Sequence, residues 1–386
     1  MQLGHIDRQQ VFLMTGVVLG AKVFLMTPSF LAGSVGQSGW ITALIGTVLA
    51  FGGLLGWLKW SKATPGLAMV PALRRTLGRF LGDLVASVIM LATLVGLALN
   101  LRVMAGGVVI GLLPQFPAEV IVAIALLIGV YAAWLGLETV ARVTVFFTPL
   151  TAFSLVFVIV GIGRIIDLRN LFPFWGLGVR ETLKEGALGM GLFVALPGIM
   201  VWKSYVRGQE VLSRGVSGGV LLAGISVALG TAVATAAFPY PEVSRIIDPL
   251  GVMARAVYLG PFLQRLEAVF TFVWFFTSSV QTSVLFSIVL TLLAQLAGTR
   301  TYKPFTAGVA LLTFAGAVLP PNILSVGQAL HGGLFREVGI VLVAFGWVLF
   351  SVAKLRNIAP DSRGGLFVPS KLGAAVEEQE RQGGSL

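Results

Sequence analysis

Residues 9–39 read QQVFLMTGVVLGAKVFLMTPSFLAGSVGQSG. The run is apolar enough to span a bilayer, yet it is interrupted. Gly16 and Gly20 fall mid-span, Ala21 and Lys22 follow directly, and Pro28, Gly33, Gly36 and Gly39 come after. A lysine near the bilayer centre costs roughly 2.5–3.5 kcal/mol on insertion scales, and a glycine inside a helix costs about 1 kcal/mol against alanine. A segment that served only as an anchor would need neither. Lys22 is also far from both ends of the span, so its side chain cannot easily snorkel to an interface. Two readings stay open. Glycine packing with a lysine paired to a neighbouring helix is one. The other is an unwound segment whose freed backbone lines a ligand or ion site.

The rest of the chain sets the context. Of 386 residues, 56% are hydrophobic and only 11% charged, with a mean hydropathy of +0.93. Soluble domains carry about 25% charged residues. The composition therefore specifies an all-α polytopic membrane protein, and the long unbroken apolar runs do not fit the short alternating strands of an outer-membrane barrel. The net charge of +11 sits in short loops between apolar runs, so it reports topology and contact with anionic lipid, not nucleic acid. With no cysteine, disulfides and thiolate metal sites are excluded. His5 and His331 fall in expected terminal or loop positions, so no metal centre and no cofactor is called for. Asp7 and Arg8 precede the first apolar run, which is expected to continue as a span and not as a cleaved leader.

At about 20 apolar residues per crossing, about ten spans are expected, near 9–34, 40–58, 82–112, 117–137, 143–163, 186–202, 215–238, 264–297, 304–320 and 334–353. The third and eighth are longer than a bilayer needs and must tilt or protrude. Placing both termini in the cytoplasm puts 17 Lys and Arg on the inner side and 8 on the outer, with Lys22 and Arg102 inside spans. This bias favours that orientation. Residues 164–185 are expected to hold a short amphipathic helix at 179–185, and residues 239–263 to hold interfacial or re-entrant helices. A single transporter-like domain over 1–355 is expected, followed by a polar, disordered tail at 356–386.

A second interrupted span is GALGMGLFVALPGIMVW at 186–202, with Gly186, Gly189, Gly191, Pro197 and Gly198. It is the sixth span and the other broken one is the first. Ten spans then divide into two fives, about 9–163 and 186–353, each opening on a broken helix. Interrupted segments at matching positions in two halves point to a midplane site.

Several residues together carry a family resemblance: Gln9 and Gln10 before the first break, Pro28, Gly39-Trp40-Ile41, Gly136-Leu137-Glu138 with Ala141-Arg142 at the close of span four, and Pro149. Leu171-Phe172-Pro173 and Glu267 with Trp274 complete the set. The chain resembles the endospore-germination permeases, the B-type membrane subunits of nutrient germinant receptors within the amino acid–polyamine–cation transporter superfamily. The resemblance covers nearly the whole chain to about residue 355. It implies ten helices in an inverted five-plus-five repeat with helices 1 and 6 broken, like bacterial amino-acid/sodium symporters. It also implies a small-molecule nutrient as ligand, an amino acid above all, A-type and C-type receptor subunits as partners, and the inner membrane of the spore as location. Lys22 stands where the resemblance leads one to expect a small or neutral residue, so no sodium site is carried over.

The candidate ligand site follows from the chemistry of a free amino acid. A half-helix N-terminus supplies N–H donors to a carboxylate, and unwound carbonyls suit an ammonium. Gly20, Ala21 and Lys22 on the first break, and Val194, Ala195, Pro197 and Gly198 on the second, are the candidate backbone. Lys22 fits three roles, as a fixed cation, a ligand partner or a proton carrier, with a plain structural charge as the alternative. Thr93, Asn100 and Met104 lie on one face of span three. Trp274, Thr277, Ser278 and Gln281 form a polar stripe on span eight, which suits ligand contact and helix–helix bonding equally. Glu138 and Arg142, at i and i+4, read as a surface pair or as a clamp between cytoplasmic ends; Glu267 has Arg265 or a loop arginine as candidate partner. No catalytic constellation is present, so no enzyme is read. The functional alternatives are a germinant-sensing receptor subunit, a secondary amino-acid transporter coupled to protons or cations, and a membrane anchor, against which the broken helices argue.

Overall fold

The computed structural model describes residues 6–24, 26–257 and 266–358. Among these, the regular elements are fifteen α-helices joined by short 3₁₀ turns. In chain order they are α1 (Arg8–Gly20), α2 (Thr27–Val35), α3 (Gly39–Ala63), α4 (Met69–Leu77) and α5 (Arg79–Gly111). Next come α6 (Ala118–Leu135), α7 (Leu137–Gly161), α8 (Val179–Gly189), α9 (Leu196–Ile199) and α10 (Gln209–Ala237). The last are α11 (Pro249–Ala256), α12 (Leu266–Ala297), α13 (Thr306–Val318), α14 (Ile323–His331) and α15 (Gly333–Leu355). The protein is an all-α, multi-pass membrane protein.

Eight helical runs are long and apolar enough to cross a membrane among the described residues, from Thr27–Ala63 to Ile323–Leu355. The expected ten are not reached by length alone, for two reasons. The first run divides at the Gly20–Lys22 interruption. α1 stops after 13 residues, about 20 Å of helix, and α2 joins α3 through the 3₁₀ turn Gly36–Ser38. At the other end, α13 is also only 13 residues long. Two further boundaries differ. Gly136, at φ 105°, separates α6 from α7, so Glu138 and Arg142 open α7 instead of closing span four. The basic loop after α3 contains α4, an amphipathic helix that the apolar count passed over.

Local chemistry accounts for the start of α1. The Asp7 carboxylate accepts from Gln10 N–H at 2.8 Å and the Gln10 side chain accepts from Asp7 N–H at 2.9 Å, a reciprocal cap that satisfies two orphan donors. Its packing follows from glycine. A Cβ on Gly16 would lie 2.8 Å from Leu222, and one on Gly219 would lie 2.4 Å from Thr15, so α1 and α10 meet backbone to backbone, the small-residue packing typical of membrane helices. α3 and α15 repeat the device at Gly56 and Gly346.

α12 is the central stave: 83% of an 18-residue apolar stretch within it is buried, against 17% of the corresponding stretch of α7 at the periphery. Pro149 sits inside α7. The expected short helix at 179–185 is the start of α8, which runs on to Gly189. α11 supplies the short helix expected in 239–263. His5, Arg265 and nearly all of the expected tail lie outside the described residues.

A candidate ligand site at the first helix break

α1 ends at Gly20 in a 3₁₀ turn, Ala21–Phe24, and α2 restarts at Thr27 with Pro28 in its first turn. A helix end leaves orphan carbonyls. One of them, Val18 O, accepts from the Gln281 side-chain amide of α12 at 3.0 Å. The break thus opens onto α12, and a cavity lies between them. Its wall includes Ala21, Lys22, Met26 and Thr27 from the break, Asn100 and Met104 from α5, and Trp274, Ser278 and Gln281 from α12. Leu192 from the second broken segment and Leu330, His331 and Phe335 from α14 and α15 close it. The cavity measures about 40 Å³, on a scale where a single water needs about 10–15 Å³.

Lys22 dominates the electrostatics. It borders this cavity and two neighbouring ones. The described residues lining all three include no Asp or Glu. Lys22 makes no hydrogen bond or ion pair with another described residue.

His331 is the residue that sequence reading misplaced. It is not in a loop: it ends α14, is buried, and faces the break. Its Nε2 lies 2.9 Å from the Thr27 hydroxyl and its Nδ1 lies 3.1 Å from Gly327 O. Because a carbonyl only accepts, Nδ1 carries the proton, and Nε2 then accepts from Thr27. The Phe30 ring lies against the imidazole at 4.6 Å. Neither the 304-residue separation of His331 and Thr27 nor the plain apolar pattern of α14 signals this pairing.

The predicted residues divide. Ala21, Lys22, Asn100, Met104, Trp274, Ser278 and Gln281 converge on the main cavity. Thr93, Val194 and Ala195 line an adjoining one that shares Lys22 and Asn100. Four point elsewhere. Gly20 packs on α10, where a Cβ would lie 3.2 Å from Ala223 Cα. Gly198 packs between Ile288 and Thr93, with Cβ distances of 3.0 and 3.1 Å, and Pro197 is buried beside it. Thr277 turns to α7 and bonds the Thr151 hydroxyl. The glycines at both breaks serve close packing; neither Gly20 nor Gly198 has a positive φ.

The remaining charged candidates lie apart from the cavity. Glu138 and Arg142 form an exposed i, i+4 pair at 2.5 Å, a surface pair of small energetic weight. Glu267 is in the first turn of α12. Arg102 reaches Glu119 at 3.2 Å and Pro321 O at 3.4 Å, tying α5 to α6 and to the turn before α14.

The second broken segment is packed differently. After α8 the chain passes through the 3₁₀ turn Met190–Phe193, four residues of α9, and the turn Met200–Ser204. A Cβ on Gly191 would lie 2.2 Å from Arg336 O, and one on Gly339 would lie 2.3 Å from Gly191 O. Beside this crossing Arg336 pairs with Glu185 at 2.8 Å, both largely buried. At the other end, Lys203 donates to Thr64 O and to Thr64 Oγ1, each at 2.9 Å, and Ile6 N–H donates to Tyr205 O at 3.0 Å. α11 lies against the Ala21–Phe24 turn. Its N-cap is Asp248, whose carboxylate accepts from Gly251 N–H at 2.9 Å. Burial pushes the Asp248 carboxyl up to about 6, against the opposing pull of the Gly251 N–H and Arg255.

A family model described as spore germination protein matches residues 5–323. The chain is 28% identical to spore germination protein A2 of Bacillus subtilis (strain 168) over 278 residues, 70% of this chain and 76% of that protein. It is 28% identical to spore germination protein YndE of the same organism over 176 residues, 46% of this chain and 48% of that protein.

Proposed function

The chain belongs to the spore germination permease family, and on that premise we propose that it is the membrane subunit of a spore germinant receptor. It binds an amino acid or similar small nutrient in the Lys22 cavity and triggers germination, with ion movement as an accompaniment. In this reading A-type and C-type subunits assemble with it in the inner membrane of the spore, and both termini face the cytoplasm. Residues up to about 355 form one transporter-like domain of two inverted five-helix repeats, each opening on a broken helix. The observation that carries the reading is the meeting of a helix break, a lysine without a counter-ion among the described residues, and polar groups from α5 and α12 around one cavity.

A secondary transporter is the competing reading. It is favoured by the buried polar stripe of α12, which continues beyond Gln281 through Ser287, Thr291 and Gln295. Fold alone does not decide between them. The discriminating experiment pairs two measurements. Spores carrying only an Asn100→Leu version should be produced normally and fail to germinate on the nutrient that the wild type answers. Vesicles holding the wild-type chain alone should not accumulate labelled amino acid. Accumulation by the chain alone makes it a transporter, and normal germination of Asn100→Leu spores removes the cavity from the mechanism.

A further inference from the structure

We infer that the Lys22 cavity selects a small monocarboxylate without net positive charge, for which an α-ammonium group is dispensable. The inference rests on the cavity being a ligand site, as proposed above, and assigns the charge that the site takes.

The argument is an inventory of donors and charges. His331 is satisfied in its neutral form on both nitrogens, by Gly327 O and the Thr27 hydroxyl, so it offers a ligand no free N–H. The Asn100 amide donates to Gly96 O at 2.6 Å and the Gln281 amide donates to Val18 O. Each of these side chains keeps a carbonyl oxygen and a second N–H, and the Ser278 hydroxyl also lines the space; all of these groups are neutral. That leaves the three N–H donors of Lys22 as the charged group facing the cavity. No acid balances them among the residues lining the three spaces that Lys22 borders. Acids on the neighbouring helices are engaged elsewhere: Glu185 with Arg336 and Glu119 with Arg102.

A buried charge is tolerated when paired and hydrogen-bonded, and a ligand carboxylate supplies both functions at once. The rest of the wall, Met26, Met104, Trp274 and Phe335, suits an apolar remainder. An α-ammonium finds only neutral oxygens, those of Asn100, Gln281 and Ser278 among them, and no carboxylate, so it adds little. A ligand with net positive charge meets Lys22 with nothing to offset the repulsion.

The test uses the full chain in nanodiscs and titrates one side chain with four headgroups: L-alanine, propanoate, propanamide and L-alaninamide, with the matching leucine series. L-alanine and propanoate, or their leucine counterparts, should bind within about tenfold of each other. The two amides should bind about 10- to 100-fold more weakly, the span expected for a hydrogen bond to a charged group. Lys22→Met, with its fold checked by its own melting curve, should bind the carboxylate and the amide equally. Amides that bind wild type as tightly as the carboxylates overturn the inference and leave the cavity standing as a ligand site. Binding by neither series overturns it as well. In that case a broader panel of sugars and nucleosides separates a cavity with another ligand class from a cavity with none.

Discussion

The two broken segments carry the same sequence signs, glycine and proline within an apolar run, and put them to different use. At the first break the chain unwinds beside a cavity, and Lys22 faces that space without a counter-ion among the described residues. At the second, Leu192, Val194 and Ala195 also border the Lys22 spaces, but two of the glycines are tightly packed. Gly191 crosses Gly339 and the Arg336 backbone at distances that leave no room for a methyl group, and Gly198 is held between Ile288 and Thr93. A glycine-rich interruption therefore marks where a membrane helix can bend, and its neighbours decide whether the bend becomes a site or a joint.

The comparison can be broken most forcefully at the joint. Gly191→Ala places a carbon 2.2 Å from a backbone oxygen, and overpacking of this kind costs about 3 kcal/mol or more. The variant should be lost from membranes or melt far below wild type. A variant that melts with wild type shows that the second segment is as loosely filled as the first. Next in size is Arg336→Met, which strands Glu185 in a largely buried place. Removing one partner of a buried pair costs about 3–5 kcal/mol, and partial exposure brings the expectation to about 2–3 kcal/mol. Adding Glu185→Leu should recover most of the loss, and an additive double variant would show that the two side chains do not act as a pair.

Much of this was legible in the sequence. Composition and run lengths sufficed for the class, and the interruptions at Gly20–Lys22 and at 186–202 located both breaks. Seven of the candidate residues, Lys22, Asn100 and Gln281 among them, do meet in one cavity. What could not be read was direction. Thr277 and Ser278 are neighbours on one helix, yet Thr277 bonds Thr151 on α7 while Ser278 faces the cavity. That choice depends on how α12 is rotated in the bundle, which spacing alone does not specify. His331 was missed because its partners, Thr27 and Phe30, are distant in sequence and belong to a helix that starts only after the break.

A smaller effect sharpens the picture on the side of α11. Burial raises the Asp248 carboxyl to about 6 from its usual 3.8. The folded protein therefore holds that proton more tightly than the unfolded chain does. This contribution to stability is complete below about pH 3.8 and is lost as pH rises through about 6. Asn caps a helix as well as Asp, so Asp248→Asn should keep the cap and drop the dependence. Relative to the variant, wild type should lose about 1 kcal/mol between pH 4 and pH 7, after allowance for its partial exposure. Parallel melting curves across that range would mean that the carboxylate is solvated and that α11 does not press on the break.

The most direct test of the central claim uses the natural absence of cysteine and the divergence of two adjacent side chains. Ser278→Cys and Thr277→Cys are made separately and treated with a small thiol reagent, with and without the nutrient that triggers the response. The account predicts that Cys at 278 reacts and is protected by the nutrient, at concentrations matching those that act on spores, whereas Cys at 277 reacts slowly and is indifferent to it. Equal protection at both positions, or labelling at 278 that the nutrient leaves unchanged, would contradict a ligand site at the first break.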